Sequence, residues 1–237
     1  MSNLDSINTA KYFIIKASQE SAATVLEMTN MKVQKLLFYA QSIHLALCDR
    51  PLFNEPIEAW RYGPVCPPAY QFYSDFEAQQ LPLPEPDFLT TISSEIHNLL
   101  GQVWQYWGKY HSHQLSAMNY QEKPWQKARN GLPPEAASHS LILLEELKEL
   151  GSQKVKEILE TSANLELIIL LFVNEKFTLG QASKLAKMSQ FQFQQLLASR
   201  QISLHYDIAE LEADVKTLRK MGRLSYSIPI VEGAPLT

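Results

Sequence analysis

His111 and His113 stand two apart, a spacing that on a strand turns both imidazoles to one side and could hold zinc, but no third ligand accompanies them. His44 and Cys48, one helical turn apart, are another pair of metal-ligand types, set in a stretch crowded with apolar residues and without a nearby acid. A zinc site needs three or four protein ligands, so both pairs read as structural. Glu55 and Glu58 could act as paired carboxylates, yet beside an expected strand and turn they read more simply as a solvated rim. The sequence contains no Gly-x-Ser-x-Gly, no phosphate-cradling glycine loop and no His-Glu-x-x-His, and its 8 glycines are few for a nucleotide enzyme. No catalytic residue, metal or cofactor is expected, and an enzyme is disfavoured.

Two other groups suit recognition. In Trp60-Arg61-Tyr62-Gly63-Pro64, three large amphipathic side chains precede a Gly-Pro pair that fixes where they point, and such residues dominate binding hot spots. Composition leaves equally open that Trp60 and Tyr62 are core and Arg61 merely faces solvent. Pro124-Trp125 carries the same ambiguity. Farther on, Ser189, Gln190 and Gln194 would lie on the leading part of a helix, where glutamine can bond adenine edges, while Lys184, Lys187 and Arg200 would hold phosphates. The alternative is a helical hairpin with a polar face, and Phe191 with Ala198 hints at protein contact; the residues favour neither.

The elements that must position these groups come from a chain able to bury a core. Of 237 residues, 46% are hydrophobic and 19% charged, unlike a disordered chain. The most apolar run, Leu165 to Val173, is too short for a membrane span and contains Glu166. The N-terminus has no basic region followed by an apolar one, so a cytosolic protein is expected. Cys48 and Cys66 make no disulfide framework and read as buried thiols. Net charge is -4, which argues against non-specific coating of nucleic acid or an anionic membrane. Between Lys176 and Arg200, however, there are four bases and no acid, so this stretch could approach phosphate without repulsion.

Asp5 or Ser6 can cap a first helix ending near residues 18–21. Thr29 or Asn30 precedes a clearer one, in which Val33, Leu36, Leu37, Ala40, Ile43 and Leu47 recur at three and four until Asp49-Arg50-Pro51. Ile57 to Tyr62 alternates like a strand closed by a Gly63-Pro64 turn, which predicts a small sheet. Leu81 to Pro86 reads as a surface loop. Helices are predicted from Asp87 or Thr91 to Lys109 and from Pro134 to Leu150, with Gly151 the candidate domain end. Asn164 or Ser162, Thr178 and Ser189 are caps for three further helices, and an acidic helix over 208–221 follows. The pair at Ala182–Lys187 and Gln190–Ser199 has helix-turn-helix spacing.

Residues 31–70 resemble the signature of the Panacea, or SocA-like antitoxin, domain. The matching residues are Lys32, Gln34, Lys35, Leu36, Leu37 and Tyr39, then Arg50-Pro51-Leu52-Phe53, Ile57-Glu58-Ala59-Trp60, Tyr62-Gly63-Pro64-Val65, Pro67 and Tyr70. A second block, Leu115-Ser116 through Pro124-Trp125 and Ala128, also resembles it, with Asn119-Tyr120 where the family usually has Thr-His. Residues 164–218 resemble a smaller family of antitoxin-like proteins found beside PIN-domain toxins, through Leu179-Gly180-Gln181-Ala182, Leu185-Ala186, Met188-Ser189, Phe193, Leu196-Leu197 and the run Ile202 to Tyr206; that family usually has Gly at Lys187.

The resemblance implies a prokaryotic antitoxin that binds a toxin from its own operon, with a second module that binds operator DNA or extends the toxin contact. The expected architecture is mainly α with a small antiparallel β-sheet over 1–151, an all-α helix-turn-helix domain over 152–221, and a tail over 222–237. Lys35, Trp60, Arg61, Tyr62, Gly63, Pro64 and Trp125 are the expected toxin-binding residues, on a surface continued by a basic helix face. Lys184, Lys187, Ser189, Gln190, Gln194 and Arg200 are the expected DNA contacts. Operator binding would call for a homodimer, since one short helix reads too few base pairs. The alternative from another class is a DNA-binding transcriptional regulator whose N-terminal domain senses or dimerises.

Overall fold

A computed structural model describes residues 4–20, 27–133, 135–161 and 164–202; the expected acidic helix at 208–221, the tail at 222–237 and the cap candidate Ser162 lie outside them. The chain forms two compact units, residues 1–193 and 194–237. As expected, the described residues are mainly helical with a small antiparallel sheet.

The first unit is organised around a helix that has no solvent face. α1 (Ser6–Gln19) is capped by Asp5, whose carboxylate accepts the Asn8 amide at 2.6 Å. α2 (Asn30–Cys48) is capped by Thr29 and is buried along almost its whole length, polar residues included. The stripe read from Val33 to Leu47 is therefore only part of its buried surface, because a helix enclosed on all sides shows a period in its apolar residues but no wet face. α2 ends at Asp49, a left-handed residue with φ 55°. Lys148 and Lys176 both donate to the exposed Asp49 carboxyl and hold it down to about 2.

The sheet differs from the sequence reading in one respect. β1 (Glu58–Trp60) and β2 (Gly63–Val65) pair antiparallel, Trp60 opposite Gly63, so Arg61-Tyr62 is the turn and Gly63-Pro64 begins the return strand. Gly63 has φ 102°, which only glycine adopts freely, and a Cβ there would lie 2.6 Å from the Lys35 Nζ. The other edge of β1 is bonded by residues 140–142: Ala59 donates to the Ser140 carbonyl and Ile142 to that of Ile57, each at 2.8 Å.

Short helices fill the rest: α3 (Pro67–Phe72), α4 (Ser94–Val103, capped by Ser93), α5 (Ser112–Tyr120) and α6 (Lys123–Arg129). The single helix expected to reach Lys109 is instead a 3-10 turn at Pro86–Thr91, then α4, then a π turn at Trp104–Gly108. The π turn lets the Trp104 indole lie against Gly108, where a Cβ would clash with the ring at 2.5 Å.

α7 runs Leu144–Thr161, not 134–150, and passes through Gly151 without a break. The glycine is there for proximity. A Cβ at Gly151 would fall 1.9 Å from the Ser42 carbonyl oxygen, so its absence lets α7 lie directly on α2, its most extensive packing partner. Leu147, Leu150, Val155 and Ile158 join the same core. α8 (Leu165–Val173) is capped by Asn164, and α9 (Leu179–Leu185) by Thr178. α10 (Gln190–Ser199) crosses from the first unit into the second, whose described residues are the end of this helix and a closing turn in which Ile202 donates to the Leu197 carbonyl.

Candidate protein-binding site

The polar residues inside α2 latch the loops around it. Gln41 accepts the Leu52 and Phe53 amides at 2.9 and 3.3 Å and donates to the Phe53 carbonyl at 2.9 Å, fixing the turn after Arg50-Pro51. Gln34 accepts the Cys66 amide at 2.9 Å and donates to Asn30. Lys35 donates to the Pro64 carbonyl at 3.1 Å, and Lys32 to that of Gly108 at 2.7 Å with its ammonium 5.3 Å from the Trp104 ring. Burial pulls both lysines down, Lys35 to about 7 and Lys32 to about 8, the latter opposed by Glu20. The expected basic helix face does not exist: these bases are interior and hold the hairpin and the π turn from within.

The hairpin is held from three sides. The Trp60 indole donates to Glu58 at 2.6 Å, and the ring meets Tyr70 and His139 edge-on, both at 5.0 Å. His139 closes on the same Glu58 oxygen at 3.0 Å. Trp125 donates to the Trp60 carbonyl at 2.9 Å, and the Arg129 guanidinium, 4.9 Å from the Trp125 ring, donates to the carbonyls of Pro133 and Ala136. Glu58 is thus an internal acceptor rather than a rim charge, as is Glu55, which takes the amide and hydroxyl of Ser6.

This scaffold leaves Arg61 and Tyr62 at the tip, the guanidinium 5.0 Å from the phenol ring, with Tyr62 55% exposed. Beneath them opens a cavity of about 330 Å³ walled by Met31, Trp60, Tyr62, Val65 and Tyr70, with Lys35 and His139 also lining it. Met31 and Tyr70 are exposed as well, so a largely apolar, aromatic patch surrounds the opening. Of the seven residues expected to bind a toxin, Arg61 and Tyr62 face outward and Trp60 is half-buried. Lys35, Gly63, Pro64 and Trp125 are buried and support the others. Met31, Tyr70 and His139 were missed: Met31 and His139 reach the hairpin from distant parts of the chain, and Tyr70 folds back onto Trp60 from the short helix after β2.

The residues read as DNA contacts lie elsewhere. Lys184 is exposed in the last turn of α9, and Lys187 takes the left-handed conformation, φ 55°, that a glycine would adopt without cost. Ser189 caps α10, accepting the Gln192 amide at 3.2 Å and donating its own to the Gln192 side chain at 2.9 Å. Gln190 is exposed with its amide close over Gly180, and Phe191 is 66% exposed. Gln194 is half-buried and Arg200 exposed.

The other chemical candidates have local tasks. His111 opens α5, its amide bonded to Gln114 at 2.9 Å, and its ring lies 5.7 Å from that of His113 on a helix rather than a strand. His44 bonds the Arg50 carbonyl at 2.8 Å. Cys48 points at Glu95, and burial with that carboxylate pushes its thiol up to about 12. Among the described residues no three His, Cys, Asp or Glu side chains cluster, and no helix is long and apolar enough to cross a membrane.

Residues 33–126 match the antitoxin SocA-like Panacea domain, and residues 144–220 match the uncharacterised protein family UPF0175. A UPF0175 protein of Aeropyrum pernix is 38% identical over 63 residues, 27% of this chain and 71% of that protein. The chain belongs to UPF0175 and carries a Panacea domain. Within the Panacea part, antitoxin SocA of Caulobacter vibrioides is 40% identical over 55 residues, 23% of this chain and 29% of that protein. A UPF0175 protein of Synechocystis sp. is 43% identical over 54 residues, 23% of this chain and 61% of its own length. The chain thus spans less than two thirds of these last two relatives. No solved structure matches it. The latched loops and the hairpin lie inside the Panacea domain, whereas α7 to α10 belong to the UPF0175 segment.

Proposed function

We propose that the chain is an antitoxin that neutralises a toxin protein by direct binding, without catalysis. The observation that carries this reading is the hairpin tip: an exposed arginine and tyrosine on a turn immobilised from below, beside an apolar cavity. Large amphipathic side chains held rigid at the edge of a pocket lose little entropy on binding and are the usual energetic centre of protein interfaces. The resemblance of the Panacea domain to antitoxin SocA supplies the class of partner. Trp60 and Trp125 act by positioning, and Arg61 and Tyr62 by contact.

The UPF0175 segment supports a second activity, operator binding by α10 in a homodimer. Ser189 and Gln190 head the helix, Gln194 follows one turn later, and Lys184, Lys187 and Arg200 supply charge for phosphates. The regulator alternative makes this the main function. Exposed Phe191 on the same helix instead favours a protein contact.

Growth of cells expressing the neighbouring reading frame with the full-length chain tests the first reading. The chain should restore growth, and Arg61→Glu or Tyr62→Ala should abolish rescue with helix content unchanged by circular dichroism. Full rescue by both variants, or a harmless neighbour, sinks it and moves the regulator alternative to the front. Gln190→Ala with Gln194→Ala should abolish a promoter mobility shift and leave rescue intact.

A further inference from the structure

The cavity beneath the hairpin contains a buried lysine without a counter-charge. Lys35 is 1% exposed, and among the described residues its Nζ has one hydrogen bond, to the Pro64 carbonyl, and no ion pair. Burial alone lowers it, with no carboxylate acting against that. Lys32, buried on the same helix, is compensated inside the chain by the Trp104 ring face and by Glu20. The carboxylate lining the same hairpin, Glu58, is taken by the Trp60 indole and His139. A buried ammonium is strongly disfavoured unless an anion joins it, so a carboxylate entering the cavity gains both a charge partner and the desolvation already made there.

The walls indicate what arrives with that carboxylate. Met31, Trp60, Val65 and Tyr70 give largely apolar walls to a cavity of about 330 Å³, more than an aspartate or glutamate side chain fills. A chain-terminal residue of the large apolar type presents its side chain and a free carboxylate on one α-carbon. We propose that the cavity receives the C-terminal residue of the bound toxin, its α-carboxylate beside Lys35 and its apolar side chain among Met31, Trp60 and Tyr70. This rests on the toxin-docking reading and adds the chemistry of the anchor. Arg61 at the rim adds a second positive charge along the way in.

Titration of the full-length protein with N-acetyl-phenylalanine, its carboxamide and N-acetyl-aspartate methylamide, followed by indole fluorescence and chemical-shift changes, tests it. The terminal carboxylate should bind at least tenfold more tightly than the carboxamide, the side-chain carboxylate no better than the carboxamide, and Lys35→Met should erase the tenfold advantage while circular dichroism shows the fold intact. Equal binding of carboxylate and carboxamide, equal binding of the two carboxylates, or an advantage surviving in Lys35→Met overturns the proposal. The rescue assay separates this failure from that of the docking reading. If Tyr62→Ala loses rescue but Lys35→Met, or a Gly-Ser-Gly extension of the toxin's C-terminus, keeps it, the surface stands and the anchor falls. If none of these changes affects rescue, the docking reading falls and takes the toxin occupant with it.

Discussion

α2 and the α9 to α10 pair are both helical stretches rich in lysine and glutamine, and they use those residues in opposite ways. In α2, Lys32, Gln34, Lys35 and Gln41 are interior and their hydrogen bonds reach loops up to 76 residues away. In the pair, Lys184, Lys187 and Gln190 are exposed, and the hydrogen bonds of the turn are local, closed within three to five residues by Ser189, Gln192 and the backbone. The same residue types thus act as fasteners in one region and as available surface in the other. What separates them is enclosure: a polar group removed from water must find a partner in the chain, and that partner is then fixed.

The sharpest way to break the comparison is to add one methyl group to each region. Gly151→Ala sets a Cβ against the Ser42 backbone, which cannot swing aside, and should cost about 3 kcal/mol in denaturant unfolding. Gly180→Ala meets only the end of the Gln190 side chain and should be neutral or gain about 0.5 kcal/mol through helix propensity. A shared sign would show that the two regions are equally packed. Next, Gln41→Met strips the Leu52 and Phe53 amides of their acceptor and should cost about 2–3 kcal/mol by the same measurement. Gln195→Met, exposed on α10, should stay within about 0.5 kcal/mol of the wild type.

The enclosed lysines also predict a pH signature. Because burial lowers Lys35 to about 7 and Lys32 to about 8, from an ordinary 10.5, the folded chain has released protons that the unfolded chain still holds across that window. Stability should therefore rise from pH 7 to 9, and Lys35→Met should flatten the rise. Thermal unfolding at several pH values checks this, and a variant whose stability rises with pH as steeply as that of the wild type would contradict it. A modest gain is expected in the turn between α9 and α10, where Lys187→Gly should stabilise by about 0.5–1 kcal/mol, because φ 55° is strained for lysine and ordinary for glycine. A loss there would mean that Lys187 makes contacts outweighing the strain.

Much of this was legible beforehand. The caps Asp5, Thr29, Asn164, Thr178 and Ser189 announced their helices because a short polar side chain before an apolar period has a local physical cause. The hairpin residues were found, since Trp60 to Pro64 is locally distinctive. Two things were not legible. Which of those residues point outward depends on Trp125, Arg129 and His139, which arrive from 65 or more positions away. Gly151 looked like a helix stop because glycine commonly ends helices, whereas here it permits contact with a helix a hundred residues earlier in the chain. The one available hint was inside α2 itself: two lysines and two glutamines among its apolar residues with no acid to balance the bases.

The place where α7 lies on α2 bears on inheritance. The UPF0175 match begins at residue 144, the first residue of α7, so the boundary between the two families runs through the middle of one hydrophobic core. A gene fusion that exchanged everything after residue 143 would have to deliver a helix with glycine at position 151 and apolar residues on the flanking turns, or leave α2 uncovered along its length. The exchanged part would also have to supply α8, whose Leu167, Leu170 and Leu171 lie in that same core.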